Sequence, residues 1–164
     1  MRTIIHDLNE KDLKKIQFKE SDVLIDSLKC NNNCIGCFSC WIKHPKKCAI
    51  KDEFSNIVQS IKNSEELILI SKCRYGCYSH QVKRVLERCI GYVLPYFVIR
   101  DNEMHHKSRY DEKIKLSTYF YGEITEEDKK CVHNLVKSNA INLNANKYNI
   151  NYVHNLKELT KCIH

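Results

Sequence analysis

The chain has no apolar run long enough to cross a bilayer. Its longest such stretch, around Val93 to Ile99, falls far short of the roughly 18 residues a spanning helix needs. It does not open on a charged segment followed by an apolar h-region, which is how a secretory signal reads. A soluble, cytoplasmic protein with no membrane partner is the expectation. Long basic runs and basic helix faces are also missing. Lys and Arg exceed Asp and Glu to leave a net charge of +7, but they are scattered among the acidic residues, which is a solvated surface rather than a nucleic-acid interface. There is no internal repeat and no low-complexity linker, and 164 residues suit a single domain, 1–164, with a worthwhile core.

What the chain does have is cysteine, ten of them. Without a secretion signal they are expected to be free, metal-bound or redox-active rather than paired as disulfides. Four fall within fifteen residues as Cys34-x2-Cys37-x2-Cys40-x7-Cys48, in a loop between a predicted strand and a predicted helix. Thiolates are strong soft ligands, and two-residue spacers let successive cysteines address one centre, so the spacing points to an iron-sulfur cluster first. Zinc, which favours two separated pairs, comes second, and a loop of plain thiols is the third reading. Cys30 is either a spare ligand or a thiol at a strand end. No helix opens at the Cys-x-x-Cys, which disfavours a thioredoxin-like dithiol.

The rest of the chain alternates strand and helix patterns. Arg2 to Leu8 reads as a strand, and Asn9 with Asp12 caps a short helix carrying Leu13 and Ile16. Asp22 to Leu28 is a second strand. Asp52 is placed to cap a helix with Phe54, Ile57, Val58 and Ile61 on one stripe. Leu67 to Ile70 is an unbroken apolar run, the pattern of a strand covered on both faces. A helix follows over about His80 to Ile90, with Val82, Val85, Leu86 and Cys89 on one face. Lys115 to Tyr121 is the next strand, and Thr125 with Asp128 makes a capping box for a helix lined by Cys131, Leu135 and Val136. Tyr148 to Val153 is the last strand, with a short helical segment beyond. Such alternation predicts an α/β fold with a parallel sheet and right-handed crossovers. Ligands in such sheets sit at the carboxyl ends of strands, so the loops after Leu8, Leu28, Ile70 and Tyr121 are the candidates.

Three stretches carry a resemblance: Cys34-Ile-Gly-Cys-Phe-Ser-Cys-Trp41; Cys48-Ala-Ile-Lys-Asp52; and an apolar strand ending in Ser71, then Tyr75-Gly-Cys-Tyr-Ser79. Together they resemble the flavodoxin-like NADPH-dependent FMN reductase family, in its iron-sulfur flavoprotein branch. The likeness runs from about Cys34 to Ile150 and takes in Met104-His-His-Lys and Tyr119-Phe-Tyr-Gly-Glu123. It implies a flavodoxin-like three-layer α/β/α sandwich with a five-stranded parallel sheet, FMN as cofactor and NAD(P)H as electron donor. It further implies a homo-oligomer, or pairing with another flavoprotein. The implied flavin contacts are Ser71, Lys72, Cys73, Arg74, Tyr75, Gly76, Tyr78 and Ser79 after one strand and Tyr121, Gly122 and Glu123 after another. Tyr75 or Tyr78 would stack on the ring, Gly76 would let it approach, and Lys72 and Arg74 would favour an anionic flavin or nucleotide phosphates. Cys34, Cys37, Cys40 and Cys48 would hold a 4Fe-4S cluster. Taken by themselves, these loops are also ordinary turns between strands and helices, and Cys73 with Cys77 is either a redox pair or two thiols near the surface. His105, His106, Lys107 and Arg109 read as a basic loop that meets an NADPH phosphate, a partner subunit or only water. No side chain stands out as a proton donor, so the catalytic residues are unknown.

The sequence departs from the family after the first strand. Family members place a Gly-Ser-Pro-Arg type loop there, around the FMN phosphate. This chain has His6-Asp-Leu-Asn-Glu-Lys-Asp12, with no glycine and three carboxylates. A phosphate site needs free backbone N–H groups and little negative charge nearby. Only about fourteen residues separate the first two strands, so the first helix is short or missing. The main expectation is an FMN-dependent NAD(P)H oxidoreductase or electron-transfer flavoprotein. The alternative is a flavin-free accessory or scaffold subunit, or a cysteine metal-binding module, beside a complete flavoprotein.

Overall fold

A computed structural model describes residues 1–100, 102–154, 158–160 and 163. Strand β1 (Arg2–His6) is followed by the single-turn helix α1 (Glu10–Leu13) and by β2 (Val23–Asp26). The cysteine loop then leads to α2 (Ile57–Lys62), β3 (Glu66–Lys72) and α3 (His80–Glu87). A hairpin of β4 (Val93–Arg100) and β5 (Glu103–Ser108) precedes β6 (Lys115–Tyr121), α4 (Glu126–Asn142) and β7 (Lys147–Val153). Five strands form one sheet in the order β2-β1-β3-β6-β7, and every neighbouring pair is parallel. The fold is the flavodoxin-like α/β/α sandwich.

Alternation along the central strands divides the core in two. Ile5, Leu67, Leu69 and Leu116 face α2, α3 and α4, whose Ile57, Ile61, Val82, Val85, Val132 and Val136 complete the larger cluster. Ile4, Ile68 and Ile70 point the other way, onto Ile16, Leu159 and Ile163. Residues 158–160 are helical, while the remainder of the short helix expected past Val153 lies outside the described residues.

Caps settle where helices begin. Asn9 accepts from the Asp12 N–H at 3.0 Å, and Thr125 with Asp128 forms the expected reciprocal box. Asp52 does not open α2. Its carboxylate accepts from the Phe54 N–H at 3.0 Å but is otherwise drawn to Arg88, and regular helix starts only at Ile57. Cys131, expected on the buried face of α4, is exposed; Val132, Val136 and Ala140 hold that face. The stretch around Val93 to Ile99 and the basic segment His105 to Lys107, the latter expected as a loop, are the two arms of an antiparallel hairpin.

Candidate functional site

The carboxyl ends of β1, β3 and β6 meet at one polar cluster, and Asp7 is at its centre. Asp7 directly follows β1 and is nearly buried. Its carboxylate accepts from the Lys72 backbone N–H at 3.0 and 3.2 Å, from the Tyr121 hydroxyl at 3.0 Å and from the Ser71 hydroxyl at 3.5 Å. Burial first, then the Asp7 charge, pushes the Tyr121 phenol well above its ordinary range, so it stays a proton donor. Ser71 accepts from the Ser79 N–H at 2.8 Å, and Ser79 caps α3. Three strand ends are thereby tied together by hydrogen bonds among neutral donors and one carboxylate.

The residues after β3 form a tight turn. Arg74 and Cys77 exchange backbone hydrogen bonds at 2.9 and 3.0 Å, and the two residues between them, Tyr75 and Gly76, have φ of 53° and 67°. Positive φ at both central positions is the type I′ geometry, which a tyrosine adopts only under constraint. The turn holds Tyr75 out at 98% exposure. Gly76 is needed for packing as well as for φ, because a Cβ there would run into the Cβ of Cys131 on α4. Gly122, with φ of 102°, lies under the Lys72 side chain, which comes within 3.5 Å of where a Cβ would stand.

Of the expected flavin contacts, these elements bring Ser71, Lys72, Arg74, Tyr75, Tyr121, Gly122 and Glu123 to one end of the sheet. Tyr78 belongs elsewhere. It is buried, stacks on Phe120 with ring centres 5.1 Å apart, and its hydroxyl accepts from Asn139 at 3.3 Å. Tyr75 is therefore the aromatic ring free to stack on a ligand. Cys73 is also buried, with its N–H bonded to the Tyr121 carbonyl at 2.9 Å, and burial raises its thiol pKa.

Two backbone donors at the carboxyl ends of β1 and β3 are taken, the Lys72 N–H by Asp7 and the Asp12 N–H by Asn9. Helix α1 spans four residues, and its first turn carries Glu10 and Asp12. The phosphate of FMN does not fit the loop after β1 as it stands.

The cysteine loop lies at the other end of the molecule. Cys40 packs against Gly91, and the Trp41 indole donates to the Ile90 and Val93 carbonyls at 3.0 Å, beyond the carboxyl end of α3. The eight residues of α3 put roughly 12 Å of helix between this end and the turn holding Tyr75. Cys34, Cys37, Cys40 and Cys48, joined by Cys89, line a largely apolar cavity of about 570 Å³ floored by Ile61 and Leu69. Among the described residues no three Cys, His, Asp or Glu side chains are gathered to hold a metal ion. The four cysteines share a cavity but not a centre. The Cys40 Cβ rests against Gly91, Cys34 and Cys48 are half-buried, and Cys37 is exposed. The implied cluster ligands thus do not fit a cluster in this arrangement, and no chemistry is derived from one. Burial, and then the neighbouring Cys48, Cys34 and Cys37, raises the Cys40 thiol pKa.

Arg88 braces this end. It is 1% exposed, and both its terminal nitrogens reach the Asp52 carboxylate at 2.6 Å. It also lies 3.8 Å from the Cys30 sulfur and stacks on Phe54 at 5.7 Å. Asp52 is held well below the usual carboxylate range, chiefly by this guanidinium. Sequence reading missed this pair, although Arg88 sits three residues after Val85 on a buried stripe, where a charge demands a partner. The basic segment is also committed here. His106 packs between Trp41 and Phe97, each 5.0 Å away, and Arg109 donates to the Gly91 carbonyl at 2.9 Å.

No described helix is long and apolar enough to cross a membrane. No protein-family model and no curated protein matches the chain. The fold does match solved structures. One is the crystal structure of an FMN-dependent NADH-azoreductase from Bacillus anthracis str. Ames Ancestor in complex with FMN, with a TM-score of 0.58 over 99% of this chain and 94% of that one. The two sequences are 12% identical, so what they share is the fold, the flavodoxin-like sandwich.

Proposed function

We propose that this protein is a flavin-dependent NAD(P)H oxidoreductase, with the flavin ring lodged at the carboxyl ends of β3 and β6. The observation that carries this reading is the convergence there of a constrained turn presenting Tyr75, the Lys72–Gly122 contact and the Arg74 side chain. An azoreductase that binds FMN shares the whole fold, which supports the reading. A bound flavin would supply the two-electron chemistry with a nicotinamide nucleotide and a second acceptor.

The chain's own part is binding and orientation. Tyr75 offers an aromatic face, and the turn through Gly76 fixes where that face stands. Lys72 and Arg74 supply positive charge for the nucleotide phosphates. Tyr121, kept protonated, and Asp7 order the strand ends behind the ring.

NAD(P)H oxidation under anaerobic conditions, with added flavin and a quinone acceptor, tests this reading. Flavin-dependent turnover that drops on Tyr75→Ala and on Lys72→Ala is the expected result. A protein that quenches no flavin fluorescence and oxidises neither nucleotide overturns it and leaves the flavin-free accessory role, which the acidic, shortened first loop favours.

A further inference from the structure

The cavity beneath the cysteine loop plays no part in the flavin reading. We propose that it is a second binding site, for an uncharged polycyclic aromatic molecule, separate from the flavin end and independent of it. Its walls come from segments distant in the chain. Leu86 in the last turn of α3, Val93 at the start of β4 and Leu143 just past α4 all pack on the main core and line the cavity, and each stays only half-buried. Apolar surface from three elements is thus left uncovered at one place, and a ligand that covers it gains by removing it from water. An apolar cavity of about 150 Å³ is enough for benzene. This one, at about 570 Å³, has room for a larger ring system and falls within the range of roughly 300–1,000 Å³ usual for small-molecule sites.

The polar groups of the lining exclude a charged ligand. Both terminal nitrogens of Arg88 are closed on Asp52 at 2.6 Å, and the Asn139 amide donates to the Tyr78 hydroxyl at 3.3 Å. The Asn142 amide oxygen lies 3.0 Å from Nδ1 of His105, the His106 ring sits between Trp41 and Phe97, and Glu87 is exposed to water. An ion entering here would lose its hydration with no partner to replace it. Aromatic rings suit the remainder of the lining. Thiols are weakly polar and polarizable, and sulfur at the edge of a ring is a favourable contact. Phe38, stacked on Trp41 at 5.1 Å and still 46% exposed, offers a ring face at the same cavity.

The test titrates the reduced full chain with N-phenylnaphthylamine and with anilinonaphthalene sulfonate, a neutral and an anionic dye built on one fluorescent ring system. The neutral dye should saturate a single site and bind roughly ten-fold tighter than the sulfonate. Its occupancy should slow maleimide labelling of Cys34 and Cys48, which line the cavity, and leave the rate at Cys131, packed on Gly76 at the flavin end, unchanged. Leu86→Glu puts a charge in the wall and should abolish the saturable site. Labelling of the unaltered protein keeps the inference testable if that variant fails to fold. Equal affinity for the two dyes, protection of Cys131 in place of Cys34 and Cys48, or no saturable binding of the neutral dye overturns the inference. None of these outcomes bears on the flavin reading, which stands or falls on its own turnover assay.

Discussion

The two ends of this sheet handle buried polarity in opposite ways. At the carboxyl end, Asp7 after β1 gathers neutral donors from two further strands, β3 and β6, beside the exposed Lys72 side chain. At the cysteine end, one fully buried guanidinium is closed over by a part-exposed carboxylate, beside thiols and aliphatic side chains. A hydroxyl or backbone donor can rearrange around a ligand at little cost, whereas a desolvated ion pair holds its geometry or fails. One end is therefore suited to recognition and the other to bracing the long loop from Cys30 to Phe54.

Breaking the brace should have the largest effect. Asp52→Asn leaves the buried Arg88 guanidinium unpaired and should cost about 3–5 kcal/mol in urea unfolding. Asp52→Asn together with Arg88→Met should recover part of that loss, because an isolated charge costs more than a missing pair. Next comes the turn. Gly76→Ala forces a Cβ against Cys131 at positive φ and should cost roughly 1–3 kcal/mol while displacing Tyr75. Tyr121→Phe removes one donor from Asp7 and should cost about 1.5–3 kcal/mol, near the upper figure if the carboxylate finds no water.

The pH dependence sharpens the contrast further. His6, beside Asp7, is almost fully buried, and burial lowers its pKa below the ordinary 6.5 against the pull of Asp26 and Asp7. The unfolded chain then binds a proton that the folded chain does not, so stability should fall as pH drops below 6.5. His6→Gln should flatten that slope in unfolding midpoints measured between neutral and mildly acidic pH. The smallest effects belong to the thiols. Exposed Cys37 and Cys131 should react first with a maleimide and buried Cys89 last, as read by mass spectrometry. Cys37→Ser should change stability by less than about 0.5 kcal/mol.

Much of this was legible in the sequence, for identifiable reasons. β6 runs over Lys115–Tyr121 as expected because the stretch sits between clear turns, and the box at Thr125 and Asp128 starts α4 where it must. Other elements were legible only in outline. α2 begins five residues after Asp52, and the β4–β5 hairpin was invisible because its exposed and half-buried residues break the period-2 alternation of a half-buried strand. At the candidate site, the loops after β3 and β6 were found from strand ends alone. The withdrawal of Tyr78 into the core could not be, since Tyr75 and Tyr78 differ only in which side of the turn they leave.

The sequence by itself determined the succession of the five sheet strands and their helices, the parallel sheet and the acidity of the first loop, because these depend on periodicity, capping and composition, which are local. Tertiary structure alone decided that the Asp7 carboxylate takes the Lys72 N–H, that Arg88 closes on Asp52 across thirty-six residues, and that the cysteine loop lies at the end away from Tyr75. Each of those depends on which groups meet when distant segments pack, and a desolvated charge or donor must then take whichever partner the packing brings within reach.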